Sequence, residues 1–525
     1  MSPSFDAIVI GGGTNGLAAA ITLGRAGRRT LLLERSDHLG GQSALIEFAP
    51  EFHAPPLGLD AGWLPPSVAR GLGIRAPDIA RAEPSLSVAI DAAEGLSISD
   101  DPSRAADAIR SRSEQDARRW PAFISSIRRL SGFLEVLYQT NAPDVDATGF
   151  AETRRLAGLG WRFRQLGRAG MTDLLRTLPM SIRELLDDTF EDEPLKAAVA
   201  AGGVRGLRQG PRSGGTAFNL LHHLVGTPVG TIRTRGWWRD GSDALIRVLE
   251  TAAAQAKVTV RTGETVEAIT IRDDAVAGVR LESGEEVEAG FVLSSADPAT
   301  TLLRLVDPVW LDPEFTLAVR NIRFRGCTSF VLFALDDLPA FGGLADSARA
   351  LAGTLSLTST LDGLERAYDA GKYGELPERP HVEMTAPTVR WPDLAPSGKH
   401  VLVARTTCSP FQLWNSGEWD SSVRSTLGDR VIRVIEEFSP GFGARVRHVT
   451  VMGPPDIERR FGCTEGAFTH GELTLDQILF MRPVAGWGRY AMPVRGLFLG
   501  GSGAHPGPGI AGGAGWLAAR RALAG

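Results

Sequence analysis

Apolar and polar positions fall into a telling order at the start of the chain. Phe5 to Ile10, FDAIVI, is a short apolar run of strand type. It passes directly into Gly11-Gly12-Gly13-Thr14-Asn15-Gly16. Leu17 to Ala26 is then an Ala/Leu-rich helix closed by Gly27. Arg29 to Glu34, RTLLLE, predicts a second buried strand ending in an acid. At the far end Gly496 to Leu499 predicts a last short strand, and about 513 to 523 an Ala/Leu/Trp helix. The glycine-rich stretch Gly500 to Ile510 lies between them.

Between these ends, residues from about 75 to 235 read as mostly helical. Ser181 and Glu184 form a capping box ahead of Leu185, Leu186 and Phe190. Pro194 opens the next helix, which Gly202-Gly203 ends. Lys257 to Asp297 alternates as short strands with turn signals at Asp273-Asp274 and Ser283-Gly284, a meander returning to the first domain. From about 301 to 455, strand runs such as TSFVLFAL and HVLVART mix with helix candidates.

The N-terminal order gives each glycine a task. Gly11 permits the tight turn, Gly13 lets backbone approach a pyrophosphate, and Gly16 lets helix and strand pack closely. Thr14 and Asn15 open the helix, whose N-terminus offers free N–H groups and the positive end of its dipole. Glu34 is placed to accept hydrogen bonds from a ribose hydroxyl, and an acid there argues against a 2′-phosphate. Glu34-Arg35 then leads to Gly40-Gly41-Gln42-Ser43. That arrangement resembles the extended fingerprint of glutathione-reductase-type flavoproteins, and the resemblance implies FAD rather than NAD. There the second glycine pair follows the pyrophosphate and ribityl chain.

The C-terminal glycines, among them Gly501, Gly503 and Gly509 beside Ile510, can bring backbone amides close to a flat polar ring. Gly507 to Gly512 also matches G-x-G-x-x-G formally, but no strand abuts it and no ribose acid follows. With GGGTNGLAAA, MSIRELLDDTFEDEPLKAAVA, FTHGELTLDQILFMRPVAGWGRY and GLFLGGSGAHPGPGIAGGAG in view, the chain resembles the phytoene desaturase-like FAD-dependent oxidoreductases nearly end to end. The nearest branch holds the flavin-type carotene ketolases and the pyridine nucleotide-disulphide oxidoreductase domain proteins. The resemblance implies that the C-terminal loop lies against the flavin's pyrimidine side and that the backbone of Val266 holds the adenine. It also implies a desaturase or dehydrogenase moving hydride from a hydrophobic, polyene or isoprenoid-like substrate to flavin. Oxygen insertion, amine oxidation on the shared fold, or a non-catalytic flavoprotein scaffold are the alternatives. Three places depart from the family pattern: Asp240-Gly241-Ser242, Pro50-Glu51-Phe52 and Pro508-Gly509.

The expected fold is therefore α/β: a glutathione-reductase-type Rossmann FAD-binding domain with a discontinuous mixed α/β substrate domain. Residues 1–74, 236–300 and 456–525 are assigned to the first and 75–235 with 301–455 to the second. At 525 residues, more than one core is expected. His505 and Arg482 are candidates near the ring, the first to move a proton or hold the loop, the second to offset charge on reduced flavin or pair with an acid. Tyr490 and His53 are weaker candidates for lining the cavity.

Composition narrows the rest. A net charge of −5 and pI of about 6.1 give no basic field for nucleic acid. No metal site is expected, since His222-His223 is adjacent rather than at ligand spacing. Cys327, Cys408 and Cys463 are too scattered for a disulfide framework. With neither a signal-like segment nor a spanning run, a cytoplasmic protein is expected. Residues 154 to 178 are basic with interleaved apolar positions. They suit either peripheral membrane contact, where a lipid-soluble substrate would enter, or a solvated helix pair. Without a credible second nucleotide fingerprint, oxygen or a quinone is the natural reoxidant. The sequence leaves the oligomeric state open.

Overall fold

The computed structural model describes residues 5–142, 149–357 and 360–525. In its first, seven-stranded sheet, Phe5–Ile10 lies between Thr30–Leu33 and Glu286–Ser294 and is parallel to both. Thr259–Arg261 and Leu497–Leu499 add parallel strands on either side. Ala7 to Ile10 are buried because helices Thr14–Arg25, Ala244–Gln255 and Gly513–Leu523 pack into the same core. That burial explains an apolar run without alternation. Glu286–Ser294 serves two parts of the sheet. Its first residues pair antiparallel with Ala275–Leu281, and Ala289 to Ser294 pair parallel with the N-terminal strand. Ala275–Leu281 in turn pairs with Val266–Arg272. Asp273 and Asp274, with φ of 51° and 57°, make the turn between those two strands.

The second seven-stranded sheet runs Val446–Met452, Thr328–Leu335, His400–Thr407, Val382–Thr385, Thr354–Leu357, Leu86–Ala89, Gly95–Ile98. All eight residues of Thr328–Leu335 are buried. Val331, Phe333 and Leu335 enter one core while Phe330, Leu332 and Ala334 enter another, so both faces are covered. Between residues 75 and 235 most of the described chain is helical, but the three strands Ile79–Arg81, Leu86–Ala89 and Gly95–Ile98 come first. At three or four residues each, they are too short for a period of two to show.

The helical layer includes Glu114–Tyr138, Glu193–Gly203 and Thr216–His223, packed around Trp120, Phe123 and Phe190. The Ser181–Glu184 capping box is present, and Asp192 caps the helix containing Pro194. Residues 154 to 178 fall on helices Phe150–Gln165 and Gly167–Thr177, with Trp161 and Leu175 exposed. Among the described residues no helix is long and apolar enough to cross a membrane, and the three cysteines are buried thiols. Beyond Ala299, Leu302, Leu311, Phe315 and Val319 join the core of the first sheet rather than the second.

Candidate functional site

A cavity of about 740 Å³, in the range of cofactor sites, begins at the first strand–helix turn. Gly11, with φ of 95°, turns the chain there. A Cβ on Gly16 would sit 1.8 Å from the Gly11 carbonyl oxygen, so only glycine lets the helix start this close to the strand. The helix Thr14–Arg25 has no side-chain cap on Gly13, leaving its first N–H groups directed at the cavity end. Gly13 and Gly41 face each other, a Cβ on Gly13 falling 3.8 Å from Gly41 Cα. Glu34 is buried, and both its oxygens accept backbone N–H bonds, Oε2 from Gly12 at 2.6 Å and Oε1 from Ser36 at 2.9 Å. Each oxygen keeps a lone pair for a further donor.

Thr14, Asn15, Arg35, Gly40, Gln42, Ser43 and Val266 line the same cavity. Ser242, in one of the three departures from the family pattern, lines it too, and its buried Oγ has no hydrogen-bond partner among the described residues. A buried hydroxyl without a partner and an uncapped helix N-terminus are what a bound dinucleotide would complete. The residues present fit FAD.

The C-terminal loop forms the opposite wall. A Cβ on Gly501 would meet the Ser295 carbonyl oxygen at 2.2 Å, and one on Gly503 the Pro298 side chain at 2.3 Å. These two glycines, like Gly16, set the packing behind the cavity, while Ser502, Pro508, Gly509, Ile510 and Ala511 line it. Gly509 has φ of 76°. Its carbonyl accepts from Trp63 N–H at 2.9 Å, and Ala511 N–H donates to the Trp63 carbonyl at 2.7 Å. Gly515 closes the arrangement, since its Cβ would fall 1.8 Å from the Asn15 carbonyl oxygen. Another departure, Glu51, takes a left-handed φ of 66°, a conformation that favours glycine.

The structure places none of His505, Arg482, Tyr490 and His53 on the cavity wall, which corrects the lining role expected of Tyr490 and His53; of the two alternatives for His505, its contacts match the one that holds the loop. His505 is buried with Nε2 against the carbonyls of Leu137 at 3.2 Å and Thr140 at 3.0 Å, so it ties the loop to the long helix. Arg482 pairs with no acid among the described residues. It donates to six backbone carbonyls, those of Thr469, His470, Gly471, Glu472, Gln477 and Ser502. It thus staples the 469–477 segment to the C-terminal loop, one layer behind the wall; burial lowers its pKa to about 10. Tyr490 is fully buried in the first core, with φ of 71°. His53 is half-buried in the hairpin Ile46–Ala49 and Phe52–Ala54.

The cavity's far end holds residues that the sequence did not single out as a group: Arg205, Arg233, Arg235 and Arg405, with Asp60 and Glu383. Glu383 and Arg405 are register partners on adjacent strands, and the Glu383 carboxylate ion-pairs with both Arg405 and Arg233. Arg235 donates to the Val225 carbonyl at 2.6 Å, and its N–H to Asp60 at 3.2 Å. Burial lowers the pKa of Arg205 to about 9 and that of Arg405 to about 10, so these two remain cations at neutral pH; burial pushes Arg233 and Arg235 down as well. The one signal available was a single carboxylate or guanidinium inside each of two buried strands, VEMT and HVLVARTT.

His222 Nε2 lies 3.0 Å from the Pro508 carbonyl, to which only an N–H can donate, so Nδ1 accepts from the Tyr138 hydroxyl at 2.8 Å. Burial pushes its pKa down to about 4 and keeps the ring neutral. His223 is likewise held neutral by burial and by Arg205. No group of three or more His, Cys, Asp or Glu able to hold a metal occurs among the described residues.

Comparison with known proteins agrees with this geometry. Residues 6–47 match the model of the FAD dependent oxidoreductase family and residues 162–521 that of the flavin containing amine oxidoreductase family. The chain is similar to pyridine nucleotide-disulfide oxidoreductase domain-containing protein 2 of Mus musculus, 32% identical with 99% of this chain and 93% of that one covered. It is also similar to the lycopene-forming phytoene desaturase of Pseudescherichia vulneris, 24% identical with 96% of each covered. In fold it resembles cyclohexylamine oxidase from Brevibacterium oxydans, with a TM-score of 0.52 at 15% identity, 99% of this chain and 98% of that one covered.

Proposed function

The chain belongs to the flavin-containing amine oxidoreductase family and is an FAD-dependent oxidoreductase, and we propose that it is a dehydrogenase that removes hydrogen from a carbon of a lipid-soluble, polyene- or isoprenoid-like substrate. Continuity of the cavity carries this reading. The same space that reaches Glu34 and Gly13 passes Pro508 to Ala511 and continues over Phe330, Met384 and Val403 of the second sheet. Gly11, Gly13, Glu34, Gly41 and Ser242 would hold FAD, which supplies the two-electron acceptor when bound.

The chain's own residues do the positioning. The helix N-terminus at Gly13 offsets phosphate charge. Glu34, pinned at both oxygens, fixes the loop and keeps lone pairs for a ribose. The wall from Ser502 to Ala511 is made rigid by Trp63, Ser295 and Pro298 behind it. His222 keeps its proton at Nε2, against the Pro508 carbonyl, and is a positioning group rather than a base.

Four guanidinium groups against two acids at the far end of the cavity disfavour a cationic amine there, which supports dehydrogenation over the amine-oxidase reading. Oxygen or a quinone then serves as reoxidant. Anaerobic mixing of FAD-loaded protein with polyene and isoprenoid compounds is expected to bleach the flavin and yield a product lighter by two hydrogens. A product heavier by oxygen would assign a ketolase. Peroxide release with amines, and no bleaching with lipid-soluble compounds, would overturn the proposal.

A further inference from the structure

We infer that the substrate carries an oxyanion, a carboxylate or a phosphate ester, seated against Arg205, Arg233 and Arg405. The inference rests on reading the far end of the cavity as the substrate site. Desolvating a guanidinium is costly unless anions and hydrogen bonds compensate it, and here the compensation is incomplete. Glu383 is shared between Arg233 and Arg405, while Asp60 meets the backbone N–H of Arg235. Glu135, whose charge also reaches Arg235, is taken by Arg128 and by Gly226 N–H. The buried Nε atoms of Arg205, Arg233 and Arg235 have no hydrogen-bond partner among the described residues, although Arg233 and Arg235 are each only 9% exposed.

The neighbouring imidazoles leave this excess of positive charge untouched. His381, close to Arg233 and Arg405, is pushed down to about 3 by burial and by those two cations, and His222 and His223 are neutral as well. The dinucleotide's phosphates do not supply the missing anion either. Their cradle is the Gly13–Gly41 pair and the first helix, whereas these arginines come from the second sheet, the 231–235 segment and the end of helix Glu193–Gly203. Planar guanidinium donors in a desolvated pocket are suited to an oxyanion. Phe330, Met384 and Val403 beside them suit the apolar remainder of such a substrate.

The test uses saturated probes and reads binding without turnover, from the perturbation of the flavin spectrum in the FAD-loaded protein. Dodecanoate or dodecyl phosphate is expected to bind at least roughly tenfold more tightly than dodecanol, with dodecylamine weakest. The tighter of the two anions identifies the source of the oxyanion. Arg405→Gln and Arg233→Gln are expected to weaken the anion roughly tenfold or more while leaving dodecanol affinity and FAD content unchanged, and Arg405→Lys to recover part of the loss. Equal affinity for dodecanoate and dodecanol in the unaltered protein would overturn the inference, and so would loss of FAD from an Arg405→Gln protein whose unfolding transition is otherwise unchanged. The comparison in the unaltered protein stands even where a variant fails to fold. Anion-selective binding in a protein that no lipid-soluble compound bleaches would sink the dehydrogenase reading and leave this one intact.

Discussion

The two ends of the cavity are built on opposite principles. At the dinucleotide end, recognition is done by backbone: Gly11, Gly13, Gly16 and Gly41 remove side chains, and one acid, Glu34, is locked by two main-chain N–H groups. At the far end it is done by side chains, four arginines and two acids from distant parts of the chain on apolar walls. A backbone site tolerates almost no added atom but is indifferent to charge a few residues away. A side-chain site tolerates shape changes but responds to every charge removed.

That contrast orders the expected effects. The largest belongs to Gly16→Val, whose Cβ would fall 1.8 Å from a carbonyl oxygen. It should abolish FAD retention and cost about 3 kcal/mol of stability, read by flavin content and denaturant unfolding. Normal FAD content in that variant would refute the packing role assigned to this glycine.

Next is the acid response of the buried histidines. His222 is held to about 4 when folded, against about 6.5 when unfolded. The unfolded chain therefore binds the extra proton first, and stability falls as pH drops from about 6.5 towards 4, by about 3 kcal/mol for this group. His222→Gln should flatten that part of the unfolding free-energy curve; an unchanged slope would show that the ring is not held neutral.

Glu34→Gln, which keeps one acceptor oxygen and loses the other, should cost about 1–2 kcal/mol and weaken FAD binding about tenfold. Isothermal titration of apoprotein with FAD would show it, and unaltered affinity would count against the role of Glu34. His505→Gln should have the smallest effect. Since His505 meets carbonyls outside the cavity, a stability loss of about 1 kcal/mol is expected, with an unchanged pH profile of flavin reduction. A shifted profile would restore His505 as a proton carrier.

Legibility in the sequence follows the same division. The glycine turn, the Glu34 acid and the C-terminal loop could be read because they are contiguous and each obeys a local rule of strand, turn and helix. The meander from Val266 to Ser294 could be read from alternation and from its two turns. Glu383 and Arg405 could not, because they are 22 residues apart and only the antiparallel register of their strands brings them together. Arg205 and Arg233 likewise meet this pair only through the packing of the helical layer on the second sheet. For His505 and Arg482 the sequence offered alternatives without choosing between them, for a related reason. Position within a cofactor-binding motif gives proximity along the chain, and these two side chains turn away from the cavity to hold backbone carbonyls.

The measurement that tests the account most directly is the visible absorption spectrum of the purified protein, with the released cofactor identified by mass. An oxidised-flavin spectrum with FAD as the only nucleotide released is the result expected of the cavity described. A colourless protein that cannot be reconstituted with FAD would contradict it and reduce both glycine-rich loops to structural turns.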